Sequence, residues 1–243
     1  MNPTVGSKYL AEIRKGQIRH DPGRVLRNSL TPFYQSLKAT ESPRRSQIFP
    51  SRGEFEQLPS IKNYWEGEKS SVMTKSLWLS MLPSVLADLD IFSGALRVEA
   101  IRAILAAQQR ISLSKLSTRS SDYPESRYPD AFFDLATSLF SPGWGARSHR
   151  PEAFPSVGFN GGYTWRGKGT FSRLAESRTT STIQAIVQAA GLDPGVATAA
   201  DLDALGRRFT WDNDSRVNEK DKLRTWHELV RIFLYFSFRA ATL

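Results

Sequence analysis

The chain has no cysteine and only three histidines among its 243 residues. Without cysteine there are no disulfides, thiolate zinc sites, iron–sulfur clusters or thiol nucleophiles. His20, His149 and His227 lie far apart, none at ligand spacing with another, so no metal site and no cofactor are expected. Long apolar runs are also scarce. The most apolar stretch, residues 229–238, is broken by Arg231 and is about half the length that crosses a bilayer, so no membrane partner is expected. No apolar run follows Met1, which argues against a secretory signal and makes cytoplasm or nucleus the expected compartment.

What is present is enough to fold. Apolar residues make up 40% of the chain and aromatic ones 11%, including six Trp, where a disordered chain would be poor in these side chains. The formal charge of +9 is concentrated at the start, where residues 1–52 hold ten basic and three acidic side chains. This segment reads as a basic, loosely ordered arm with a helix around residues 32–38. Its Arg14, Lys15, Arg19, Arg24, Arg27, Arg44 and Arg45 are candidate contacts to nucleic acid or to an acidic protein surface. Charge alone does not choose between those partners, and a solvated tether is the simpler reading.

From Thr74 the pattern turns helical. Leu77, Trp78, Met81, Leu82, Val85, Leu86, Leu89, Phe92, Leu96, Ile101, Ile104 and Leu105 recur at steps of three and four. Pro83 predicts a kink or a restart inside this run, and Gly94 weakens it without ending it. Residues 53–140 thus form a helical core region that closes on a short buried helix begun by Pro129. Residues 141–178 are too rich in Gly and Pro for any long regular element and leave room only for short strands. Residues 179–243 return to helix. Ile183, Ile186, Val187 and Ala190 form an apolar face ended by a left-handed cap at Gly191, and Thr198 with Asp201 forms a capping box. The last helix, from about Lys222, carries too broad an apolar stripe for a surface helix, which makes Phe233, Leu234, Phe236 and Phe238 a candidate interface. The fold class expected is mainly α, an irregular helical domain with a Gly/Pro-rich loop segment.

Signatures of chemistry are incomplete. Residues 162–170 nearly spell a phosphate-binding loop, but Gly169 occupies the place of the magnesium-binding hydroxyl and Thr170 comes one position late. A basic turn is the better reading. The pairs Asp88/Asp90, Asp201/Asp203 and Asp212/Asp214 have the spacing of some metal loops, yet they fit exposed helix faces, first turns and polar turns better. No serine sits in a strained glycine elbow. An enzyme is therefore the least favoured class, and no catalytic residue is assigned.

Two stretches, FPSRGEFEQLPSIKNYW through ALRVEAIRAILAAQQRISLSKLSTRSSDYPESRYPDAFFDLATSLF, and GLDPGVATAADLDALGRRF with TWHELV, resemble a large group of uncharacterised proteins from mushroom-forming (basidiomycete) fungi. Some members carry an F-box-like segment nearer the N-terminus. The resemblance spans roughly residues 47–235 and implies no known enzymatic activity. It also implies Cys and His positions that look like structural zinc ligands. Here Pro142, Gly145, Asn160, Gly162, Trp211, Asp214 and Ile232 stand in their places, and none can supply a thiolate or imidazole.

A non-enzymatic scaffold that binds another protein is the expected function, with sequence-independent nucleic-acid binding as the alternative. Purified protein dialysed without chelator should contain no stoichiometric zinc. About one zinc per chain by elemental analysis, with thermal stability lost on chelation, would overturn that expectation.

Overall fold

Apolar residues at 78, 85, 89, 92 and 96 fall on one side of an α-helix, and Trp78, Val85, Leu89, Phe92 and Leu96 are all buried. They belong to the longest element in the computed structural model, which describes residues 24–40, 49–67, 72–139, 177–210, 223–230 and 232. Among the described residues four helices precede residue 110: α1 (Arg24–Thr40), α2 (Arg52–Phe55), α3 (Pro59–Glu66) and α4 (Lys75–Gln109). After them come short 3₁₀ turns, α5 (Ser177–Ala189), α6 (Ala199–Ala204) and helical residues 226–230. Helices account for 69% of the described residues and there is no sheet among them, so the fold class is mainly α. The bridges Leu135–Thr198 and Phe209–Arg224 are isolated.

The chain divides into two units. One comprises residues 1–99, 118–122 and 164–168, the other residues 100–117, 123–163 and 169–243. Residues 75–99 of α4 therefore belong to the first and 100–109 to the second.

The first unit is built around rings. Phe55 is fully buried and touches Tyr34 (5.1 Å between centroids), Phe49 (6.0 Å) and Trp78 (6.4 Å), while Phe33 stacks on Trp78 at 5.3 Å. Leu30, Leu58 and Ile61 complete the packing at 0% exposure. Leu30, Phe33, Tyr34 and Phe49, all within the expected basic arm, are thus part of a core. α1 is also longer than the helix expected at 32–38, running through Pro32, because Leu30, Phe33 and Tyr34 share a face that has aromatic partners to cover it.

Short helices here need caps, since a helix of one or two turns cannot sustain itself. Ser51 and Glu54 form a reciprocal capping box on α2. α3 starts after Leu58, which has no capping side chain, and Asp88 of α4 supplies the missing acceptor: the backbone N–H of Ser60 donates to its Oδ2 at 2.8 Å. α4 itself runs unbroken through Pro83, where a kink or restart was expected. It stops at Arg110, whose φ of 52° places a non-glycine residue in the left-handed region. The N–H of Ile111 then reaches the carbonyl of Ala106 at 3.0 Å, and that of Arg110 the carbonyl of Ala107 at 3.3 Å.

In the second unit the expected cap at Gly191 is present, with φ of 73° and the same pair of bonds back to Val187 and Gln188. The capping box of Thr198 and Asp201 is present as well. The short helix expected after Pro129 is instead two 3₁₀ turns, Asp130–Asp134 and Ala136–Ser138. Leu135, extended between them, is held by the N–H of Ala136 donating to the carbonyl of Ala197 at 2.8 Å, so a non-local bond outcompetes the helix. Ala136, Leu139, Ile183, Ile186, Val187, Leu202, Trp226, Leu229 and Val230 make the core. The last helix opens at residue 226 under a third capping box, Thr225 with Glu228, rather than near Lys222.

Phe55→Ala should lower the unfolding free energy by about 3–5 kcal/mol, whereas Leu86→Ala, on the exposed side of α4, should change it by no more than about 0.5 kcal/mol. Urea titration followed by far-ultraviolet circular dichroism checks both.

Candidate interaction surface

A flank of α4, about 90° around the helix from Trp78 and Val85, is apolar too. Leu79 is 56% exposed and Leu86 37%, Leu82 is half-buried beside them, and Pro83 and Ala87 are exposed. Single exposed leucines are ordinary; three on one helical stripe form a contiguous patch. The hydroxyl of Ser80 next to it donates back to the carbonyl of Leu77 at 2.7 Å and so is satisfied within the helix. By length and composition α4 is also long and apolar enough to cross a bilayer, although no membrane span was expected from the sequence. Only 22% of its most apolar 18-residue window is buried within the protein.

Charged groups gather elsewhere, and geometry assigns them to structure. Arg52 Nε donates to Glu56 Oε1 at 2.6 Å, and its Nη1 donates to Thr31 Oγ1 at 2.6 Å, which ties α2 to α1. The guanidinium also lies 5.8 Å above the Tyr34 ring. The Tyr34 hydroxyl donates to the carbonyl of Pro50 at 3.0 Å. Burial pushes the Tyr34 phenol above its ordinary value, with Arg52 opposing the shift and Glu54 adding to it. Glu54 and Glu56 are buried at 1% and 7% exposure, and each has the partner that such burial requires: the Ser51 cap and Arg52.

A second polar group surrounds Trp226. Its indole N–H donates to Asp203 Oδ1 at 2.8 Å, and His227 Nε2 lies 3.6 Å from the same oxygen with its ring 3.7 Å from the indole. His227 is half-buried, packed against a fully buried tryptophan. The nearest hydroxyl in sequence, that of Thr225, is occupied in the cap with Glu228. The trio braces Trp226. Asp201, two residues before Asp203, is held below the usual carboxylate range by the backbone N–H and then the hydroxyl of Thr198. Two fully buried hydroxyls, Ser138 Oγ and Thr179 Oγ1, lack a hydrogen-bond partner, and nothing in the structure accounts for them.

Most sequence candidates fall outside the described residues: Arg14, Lys15, Arg19, Arg44 and Arg45, His20 and His149, the loop at 162–170, Asp212 and Asp214, the replaced ligand positions Pro142, Gly145, Asn160, Gly162, Trp211 and Asp214, and Phe233, Leu234, Phe236 and Phe238. Arg24 and Arg27 lie in α1, whose side chains are described only from Asn28. Among the described residues no three His, Asp or Glu side chains converge. Asp88 turns out to be the cap of α3 rather than a solvated charge, a role 28 residues from its partner that no local pattern signals. The Leu79–Leu86 stripe was visible in sequence but was absorbed into the core pattern, since Leu82 and Leu86 satisfy the same three- and four-residue steps as the buried residues.

Comparison with protein-family models, with curated proteins and with solved structures finds no match.

The raised Tyr34 value fixes a sign. The neutral phenol contributes stability that is fully present below its ordinary value of 10.0 and is lost as pH rises through the higher folded value. Tyr34→Phe should therefore flatten the alkaline fall in melting temperature while lowering stability at neutral pH through loss of the Pro50 hydrogen bond. Thermal melts from neutral pH to above the phenol range read this directly.

Proposed function

We propose that the protein is a non-enzymatic helical scaffold that binds another protein. The observation that carries this reading is the Leu79–Leu82–Leu86 stripe, exposed at Leu79 and Leu86, on a helix whose Trp78–Val85 side is firmly seated in a core. A rigid, preformed apolar helix face associates with little ordering cost, which is how helical scaffolds present a docking surface. The resemblance to fungal proteins that accompany F-box-like segments supports the same direction, as does the use of the clustered polar side chains in caps and braces. The candidate interface at Phe233–Phe238 lies outside the described residues, so the stripe on α4 now bears the reading.

Affinity capture with the tagged full chain and with L79S/L86S checks it. The expected outcome is a partner retained by the wild-type protein and lost by the variant, with circular dichroism unchanged between the two. A captured set that does not respond to the substitution would remove the basis for the scaffold.

A further inference from the structure

Lys75, Leu79, Leu82, Leu86 and Asp90 lie within an arc of about 80° on a helix that turns 100° per residue. Lys75 and Asp90 are both exposed, and they stand at the two ends of the leucine stripe. The order is symmetric. Positions 75 and 90, 79 and 86, and 82 and 83 share one midpoint, so reversing the helix end for end maps a cation onto an anion, a leucine onto a leucine, and Leu82 onto Pro83. A two-fold interface needs this self-complementarity, because each residue of one copy meets the counterpart of its own partner.

We propose that this face of α4 docks antiparallel on the same face of a second copy of the chain, with Leu79 against Leu86 about an axis near Leu82 and Lys75 paired with Asp90 at both ends. The inference rests on reading the stripe as a docking surface and names its occupant. A bilayer surface suits the stripe less well, since Lys75 is the only cation on it and Asp90 the only anion, where an interfacial helix carries a basic margin. An unrelated protein would have to offer an acid and a base at the spacing of this helix, about 22 Å apart at 1.5 Å per residue. The chain's own face offers both. A patch of this length is well below the roughly 800 Å² per partner of standard interfaces, so the dimer is weak, with a dissociation constant on the order of tens of micromolar.

Sedimentation velocity of the purified full chain between about 5 and about 500 µM tests it across that range. The wild-type protein should pass from monomer to dimer, and L79S/L86S should raise the dissociation constant about tenfold or more. K75E and D90K should each weaken the dimer by about two- to fivefold, and K75E/D90K should recover most of the loss, because it restores both pairs with their signs exchanged. K75E places an acid in the first turn of α4, where the helix dipole favours it, so its effect does not come from unfolding; circular dichroism of every variant confirms the fold. A chain monomeric throughout, or a dimer indifferent to L79S/L86S, overturns the proposal, and binding of the monomer to anionic vesicles through the same leucines would assign the face to lipid. A monomer that still captures another protein through Leu79 and Leu86 would leave the scaffold standing and remove only the self-docking.

Discussion

A 35-residue helix that is apolar on more than one side sets the terms for everything described here. One packing partner covers one stripe of a helix, about 100° wide. Along residues 75–99 the stripe of Trp78, Val85, Leu89, Phe92 and Leu96 receives α1, α2 and α3 by way of Phe33, Phe55 and the Asp88–Ser60 bond. Along residues 100–109 the enclosure widens to Ala100, Ile101, Ala103, Ile104 and Ala107. There Arg102 lays its guanidinium on the carbonyls of Leu113 and Leu116, and Gln108 reaches the carbonyl of Thr137. The same helix is thus one-sided in the first unit and nearly enclosed in the second, and the leucines left over in its first half are the surface from which function has been argued.

Because α4 supplies so much of each core, the remaining helices can be very short, four, eight and six residues for α2, α3 and α6. Helices of that length have almost no intrinsic stability, and most of their backbone N–H groups have no intrahelical acceptor. Carboxylates provide the acceptors: Glu54 with Ser51, Asp88 for Ser60, Asp201 with Thr198, and Glu228 with Thr225 at the last helix. The near-complete burial of Glu54 and Glu56 then reflects a satisfied cap and an ion pair with Arg52, not a site held ready for proton transfer.

Local signals were legible where they are local. The long periodic run gave α4, Gly191 gave the left-handed cap, and the spacing of Thr198 and Asp201 gave a capping box that forms as read. Two further boxes, Ser51 with Glu54 and Thr225 with Glu228, have the same S/T-x-x-E form and could have placed α2 and the last helix from sequence alone. What could not be read depends on distant partners: the Ala136–Ala197 bond that replaces a helix with 3₁₀ turns, and the aromatic partners that extend α1 through Pro32. Periodicity identifies apolar faces, but it does not say which of two faces on one helix will find a partner.

That ambiguity is the physical link between fold and function in this chain. The polar side chains that converge, Arg52 with Glu56 and Tyr34, and Asp203 with Trp226 and His227, are committed to holding α1 to α2 and to bracing a buried indole. Catalysis asks polar groups to be poised beside a substrate, whereas these are engaged with the fold itself. The apolar stripe of Leu79, Leu82 and Leu86 is the opposite case. It is only partly covered by its own unit, leaves α4 with free energy to be gained by further burial, and is carried by a helix whose Trp78–Val85 side is too well packed to rotate it inward. A surface in that position lowers its free energy by association, which is why hydrophobic docking is the recognition proposed for it.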